Sequence, residues 1–206
     1  MMDISVFREK FKDHIPTLQG IRGEFAVLVP LVETAAGLHL LYEVRSATLR
    51  HHAAEVCFPG GRMEPGETPE QCALRETWEE LGIEARHIEV LGRLDFLHLR
   101  SEGLMHPVLA RIDAVALDTL TLSHDEVQET FLVPLTWLQE NPPKIYTYDL
   151  KPMVDKDFPY EDVGSAPAYR WKAGRMEVPV YTGLPHPLWG LTGRITHHLL
   201  ESIRES

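Results

Sequence analysis

A mixed α/β domain is what this sequence predicts, and three observations predict it. Two apolar runs, Phe25 to Val32 and Leu38 to Val44, flank a turn around Ala36-Gly37 and read as a strand pair. A capped amphipathic helix follows over 68–82, and a second helix closes the chain over 188–203. At 206 residues the chain is long enough for one sizeable core. The expected organisation is a single domain over 1–206, with an insertion or lid at about 141–186.

Each element has its own local justification. Residues 4–14 have helical periodicity, with Ile4, Phe7 and Phe11 on one side. The strand pair leads into a Gly-rich loop and then the 68–82 helix. There Thr68 is an N-cap, Pro69 fits the first helical position, Gln71 completes a capping box and Gly82 is a C-cap. Cys72, Leu74, Trp78 and Leu81 supply apolar surface for packing on a sheet. Ile88 to Leu99 and Met105 to Ala114 read as a strand pair bent by Gly103. Phe131 to Leu135 is another strand, and Leu135 to Gln139 starts a short helix. Residues 141–168 are rich in Pro, Asp and aromatics and show little periodicity, as an insertion, a lid or a dimer arm would. Arg175 to Tyr181 reads as a strand after the Ala173-Gly174 turn. The closing helix has Trp189, Leu191, Ile195 and Leu199 on roughly one face.

Composition narrows the function classes. Hydrophobic content of 44% and charged content of 25% are ordinary for a globular protein. A formal net charge of −11 argues against nucleic-acid or anionic-membrane binding through a broad basic surface. No stretch approaches the ~20 apolar residues of a membrane span, and the N-terminus lacks the apolar core of a signal peptide. Cys57 and Cys72, the two cysteines, then suggest reduced thiols and a cytoplasmic location. No base is obvious beside Cys57, which reads as a packing residue.

Residues 61–83 carry the chemistry. The helix places Glu76, Glu79 and Glu80 on one face, at spacings that make them neighbours. Like charges so placed repel, each pair costing on the order of a few tenths of a kcal/mol. Such a cluster suits a cation, and hard oxygen ligands select Mg²⁺, Mn²⁺ or Ca²⁺. A solvated acidic face is the plainer alternative. Arg75, at i, i+4 to Glu79, is placed to orient it by a charge-assisted bond.

The loop and helix together resemble the Nudix hydrolase signature: Gly, five residues, Glu, seven residues, Arg-Glu, an apolar residue, any residue, Glu-Glu, any residue, Gly, an apolar residue. Here it falls on Gly61, Glu67, Arg75, Glu76, Glu79, Glu80, Gly82 and Ile83. Thr77 departs from it, standing at a packing position where an aliphatic residue is usual. The resemblance implies an α/β/α sandwich with a mixed β-sheet, and hydrolysis of a diphosphate dependent on Mg²⁺ or Mn²⁺. It implies metal ligation by Glu76, Glu79, Glu80 and the Gly61 carbonyl, with Glu67 and Arg75 as supporting charges. The general base is one of the helix glutamates or a later loop glutamate, Glu126 ahead of Glu129.

Residues 40–61 resemble the extra signature of the coenzyme A pyrophosphatase branch, on Arg45, Ser46, Leu49, Arg50, His52, Phe58, Pro59, Gly60 and Gly61. Two positions depart: Glu43 stands where Thr is common, and Ala54 where Gly is usual. The Ala matters only if its backbone needs positive φ. Arg45, Arg50 and Arg62 are candidates to bind phosphate oxygens, guanidinium forks being suited to them. His52 and, less so, the adjacent His51 are candidate phosphate donors, and Phe58 is a candidate substrate contact. The Trp-Gly segment at 189–190 is also similar to that branch, although a plain core helix would explain it.

Three functions follow as expectations. One is hydrolysis of coenzyme A or an acyl derivative. Another is a pyrophosphatase for ADP-ribose or a dinucleotide such as NADH, and the third is a non-catalytic nucleotide sensor. The partner is a small molecule in each case. Dimers are common among similar proteins, but nothing in the sequence marks an interface.

Overall fold

In a computed structural model, residues 3–16, 18–99, 103–165 and 169–204 are described. Helix α1 (Ile4–Phe11) forms where its periodicity predicts it, yet Ile4, Phe7 and Phe11 all remain exposed. Strands β1 (Glu24–Thr34) and β2 (Gly37–Arg45) make the expected hairpin, with Leu31 opposite Leu40 and Thr34 opposite Gly37. The Gly-rich loop contributes two short strands, β3 (Val56–Cys57) and β4 (Gly60–Arg62), before helix α2 (Pro69–Leu81). The expected 88–99 strand is split into β5 (Ile88–Arg93) and β6 (Leu97–His98), both paired antiparallel with β7 (Leu104–Ile112). Strand β8 (Val127–Pro134) runs directly into the short helix α3 (Leu135–Glu140).

Residues 144–150 depart from the sequence reading. They form strand β9 (Lys144–Leu150), which pairs along its length with β10 (Gly174–Val180) in a separate two-stranded ribbon. Nearly all of β9 is exposed, so it lacks the one-sided burial that would write an alternating pattern into its sequence. Helix α4 (Gly190–Arg204) closes the fold.

Among the described residues, eight strands share one mixed sheet in the order β3-β2-β1-β7-β5. β4 pairs with β1, β6 with β7 and β8 with β2, and only β1 and β7 run parallel. Because successive strand residues point to opposite faces, the sheet builds two cores. Ala26, Leu28, Leu41, Val108 and Ala110 pack with Cys72, Ala73 and Leu81 of α2. Val27, Val29, Leu40 and Tyr42 pack with Ile195, Leu199 and Leu200 of α4. The result is the expected α/β/α sandwich.

Two helix faces turn out differently. In α2 the inward residues are Cys72, Ala73, Thr77, Glu80 and Leu81, whereas Trp78 is 56% exposed. Thr77 is buried, and its hydroxyl donates to the Ala73 carbonyl (2.7 Å), so the polar atom is satisfied within the helix. In α4, Ile195 and Leu199 are buried as expected, but Trp189 and Leu191 are substantially exposed at its start. Thr192 and Thr196 take the inward positions: Thr192 donates to the Val56 carbonyl (2.8 Å) and Thr196 hydrogen-bonds Tyr42 (3.0 Å).

Candidate active site

The site begins with a close approach of backbone to side chain. Gly60, Gly61 and Arg62 of β4 lie opposite Val27, Ala26 and Phe25. A Cβ on Gly60 would run into the backbone of Ala26 and Val27, and one on Gly61 would overlap the Glu76 carboxylate. Only glycine lets this strand lie between β1 and α2.

Helix α2 is fixed at both ends. The Thr68 hydroxyl accepts from the Gln71 backbone N–H (3.3 Å), and the Gln71 side-chain Oε1 accepts from the Thr68 backbone N–H (2.8 Å). Gly82 ends the helix in the left-handed conformation, at φ 73°. Its three carboxylates are unequally placed. Glu80 is buried and accepts from the Gly60 N–H (2.9 Å), Glu76 is half-buried against Gly61, and Glu79 is exposed.

Arg75 ties the outer part of the site together. Its Nε donates to Glu67 (2.9 Å), and Nη1 donates to Glu76 (2.8 Å) and Glu79 (3.0 Å). Nη2 donates to Glu67 (3.2 Å) and the Arg62 carbonyl (3.2 Å). The sequence pointed Arg75 only at Glu79; Glu67 is its bidentate partner. The Arg75 hydrogen bonds hold the Glu67 carboxyl below its usual range.

The inner carboxylates behave oppositely. Burial pushes the Glu80 carboxyl well up, reinforced by the nearby charge of Glu43, with Glu76 and Glu126 adding to it. Glu76 is also raised, by burial first, against the opposing pull of Arg75. Among the described residues, no three carboxylate, imidazole or thiol groups converge on one point. The chemistry of the donors still suits a hard divalent cation: carboxylate oxygens of like charge, buried at Glu80 and half-buried at Glu76, with the Glu79 charge raising Glu76 and the Glu76 charge raising Glu80.

Glu43 was read from sequence only as a departure from a usual Thr. It is 1% exposed, and its Oε1 accepts from the Cys57 thiol (3.0 Å) while its Oε2 has no partner among the described residues. Cys57 therefore does have a carboxylate beside it, a correction to the sequence reading. Burial and then the Glu43 charge push the thiol well above its ordinary value, so it stays protonated as a donor and is no nucleophile. The strand alternation of β2 was the signal that could have placed Glu43, since it shares a face with Leu41 of the α2 core.

The loop candidates separate as well. Glu126 is exposed just before β8, and its charge is felt by Glu43, Glu76 and Glu80. Glu129 lies opposite Val44, on the α4 face of the sheet, with its carboxylate 3.3 Å from His186. The structure thus groups Glu126, not Glu129, with the α2 carboxylates.

On the other side of Gly60 lies a cavity of about 330 Å³ walled by Arg45, His52, Phe58, Gly60, Trp189 and Leu191, among others. The Arg45 Nε is buried without a hydrogen-bond partner among the described residues. His52 is exposed, with Nδ1 3.0 Å from the Glu55 carboxylate. Phe58 is buried and stacked on Tyr42, ring centroids 4.9 Å apart. Arg50 is exposed on the preceding loop and does not line the cavity. In that loop Ala54 has φ 57°, so the position does need the conformation that glycine adopts without strain. Among the described residues no helix is long and apolar enough to cross a membrane.

Comparison with known proteins matches this architecture. The NUDIX domain family model matches residues 24–155. The chain is 34% identical over 177 residues to Nudix hydrolase 3 of Caenorhabditis elegans, covering 85% of this chain and 71% of that protein. It is 34% identical over 178 residues to the mitochondrial coenzyme A diphosphatase NUDT8 of Mus musculus, covering 85% and 76%. Against the peroxisomal coenzyme A diphosphatase NUDT7 of Mus musculus it is 35% identical over 136 residues, covering 66% and 56%. With the helix, its glycine loop and this match over more than half its length, the chain belongs to the Nudix hydrolase family.

Proposed function

We propose that this Nudix hydrolase cleaves the diphosphate of coenzyme A or an acyl-coenzyme A, giving adenosine 3′,5′-bisphosphate and (acyl-)4′-phosphopantetheine. The observation that carries this reading is continuity. Gly60 hydrogen-bonds Glu80 of the carboxylate face and also walls the cavity that holds the unpartnered Arg45 Nε. A diphosphate over α2 would therefore leave one arm of the substrate beside a guanidinium and an apolar wall. The similarity to two proteins named as coenzyme A diphosphatases supports that substrate class.

Glu76, Glu80 and the Gly61 carbonyl would hold Mg²⁺ or Mn²⁺, with Glu79 at the exposed margin. The cation supplies neutralisation of the diphosphate charge and a more acidic attacking water. The residues do the rest. Arg75 fixes Glu76 and Glu79 and is itself fixed by Glu67. Glu126, exposed and outside the Arg75 network, is the group we assign to take the proton from water. Arg45 would meet a phosphate oxygen, and Arg50 and His52, on the loop after β2, would meet the 3′-phosphate.

Product mass spectrometry tests this. The pure chain with Mg²⁺ or Mn²⁺ is offered coenzyme A, an acyl-coenzyme A, dephospho-coenzyme A, ADP-ribose and NADH. The expected result is preferential release of the 3′,5′-bisphosphate. Preference for ADP-ribose or dephospho-coenzyme A would mean that the arginines do not read the 3′-phosphate. Binding of one compound without cleavage would favour a sensor.

A further inference from the structure

We propose that Glu43 is an additional ligand to the divalent cation, supplying a carboxylate oxygen from the sheet side of the site. This rests on the metal-dependent reading above and adds to it a residue outside the Nudix box.

Placement is the first argument. Along β2, Leu41 belongs to the core under α2, while Tyr42 and Val44 belong to the core under α4. Alternation puts Glu43 on the α2 side, the side from which Glu76 and Glu80 face the sheet.

Unsatisfied hydrogen bonding is the second. A side chain 1% exposed has a single hydrogen bond, from the Cys57 thiol to Oε1. A thiol is a weak donor, and among the described residues nothing hydrogen-bonds Oε2. Ionised, the carboxylate is a buried charge with one weak donor, which is costly, eased only by the charge of Arg45.

A cation supplies the partner that Oε2 lacks. It uses the free lone pairs of Oε2, leaves the Cys57 bond in place, and neutralises the charge that Glu43 adds beside Glu80. Hard carboxylate oxygens are what Mg²⁺ and Mn²⁺ take.

The test uses the full chain and Mn²⁺ alone, with free Mn²⁺ followed by electron paramagnetic resonance during titration. Glu43→Gln and Glu43→Thr should each weaken Mn²⁺ binding about ten-fold or more. Both are compared with Cys57→Ala and Glu80→Gln, after near-UV circular dichroism has established folding. Gln keeps the shape, and Thr removes the carboxylate with a residue suited to a strand, so the pair covers the case in which one variant does not fold. Cys57→Ala should leave Mn²⁺ affinity unchanged. If Cys57→Ala weakens binding as much as Glu43→Gln does, Glu43 acts only through the thiol and the inference falls. If Mn²⁺ binds the Glu43 variants normally but not Glu80→Gln, the inference falls while the metal reading stands. If Glu80→Gln also binds normally, both fall.

Discussion

Helix α2 with its glycine loop and the β9–β10 ribbon are both regular hydrogen-bonded structures, yet they are held by different means. In α2 nearly every position is constrained from outside the helix. Gly61 touches Glu76, Gly60 donates to Glu80, and Cys72, Ala73 and Leu81 fill a core. In strand β9 the constraint is mostly the ladder itself, while β10 also rests on α4 through the buried Pro179 beside Gly193. Ile145, Tyr146 and Tyr148 are exposed, and cross-strand pairs such as Arg175 with Asp149 (3.2 Å) lie in solvent. The difference teaches that hydrogen bonding alone does not concentrate function. Burial of charge beside backbone does.

The largest effect that would sharpen this contrast is on turnover. Glu80→Gln should lower it on the order of a hundred-fold, while Tyr146→Ala on the ribbon leaves it unchanged under the same assay. Equal losses would break the contrast. Glu79→Gln should also lose turnover while staying folded, and full activity in that variant would remove Glu79 from the metal set.

The next effect is on stability against pH. Glu43, Glu76 and Glu80 all hold their protons more tightly in the folded chain than at the ordinary value of 4.5. Above that pH the folded state binds more protons than the unfolded one, so metal-free stability falls as pH rises. Glu67 and Glu70 run the other way, held low by Arg75 and Arg93, Glu70 to about 2. Their contribution is present above 4.5 and is lost as pH falls. Melting temperature without metal should therefore decline on both sides, and Mn²⁺ should lift only the higher-pH side, where it replaces protons. A uniform lift across pH would mean that the cation binds elsewhere.

Smaller still is Ala54→Gly. Relief of a left-handed alanine, partly offset by the flexibility of glycine when unfolded, should raise stability by about 0.5–1 kcal/mol. A loss, measured by urea unfolding, would mean that the Ala54 methyl makes a contact that outweighs its strain. The smallest expected change is Ile145→Ala on the ribbon, within about 0.5 kcal/mol. A cost of 2 kcal/mol or more would show that the ribbon face is covered in solution.

What was legible in the sequence follows the same division. Thr68, Gln71 and Gly82 act on neighbours a few residues away, so their capping roles could be read directly. The carboxylate face of α2 needed only helical periodicity. Glu43 was harder, because its meaning depends on which side of β2 faces α2, a fact set by β1, β7 and the helix together. Trp78 was misplaced because apolar character alone cannot distinguish it from Thr77, which satisfies its hydroxyl internally and goes inward. Strand β9 left no pattern because neither of its faces is buried. Helix α1 shows the converse: its apolar stripe is periodic but covers nothing among the described residues.

One consequence of the Arg75 geometry concerns the division of labour among cations. A guanidinium has five N–H donors, and here Nε serves Glu67, Nη1 serves Glu76 and Glu79, and Nη2 serves Glu67 and the Arg62 carbonyl. The donor capacity of Arg75 is saturated by the protein. It can stiffen the scaffold but has no hand left for an incoming phosphate, and a lysine could not reproduce the planar five-way arrangement. On the proposed reading, recruitment of an anionic substrate would fall to arginines outside the box. Affinity could then drift from one substrate to another by changes in the loops while the carboxylate helix stays as it is.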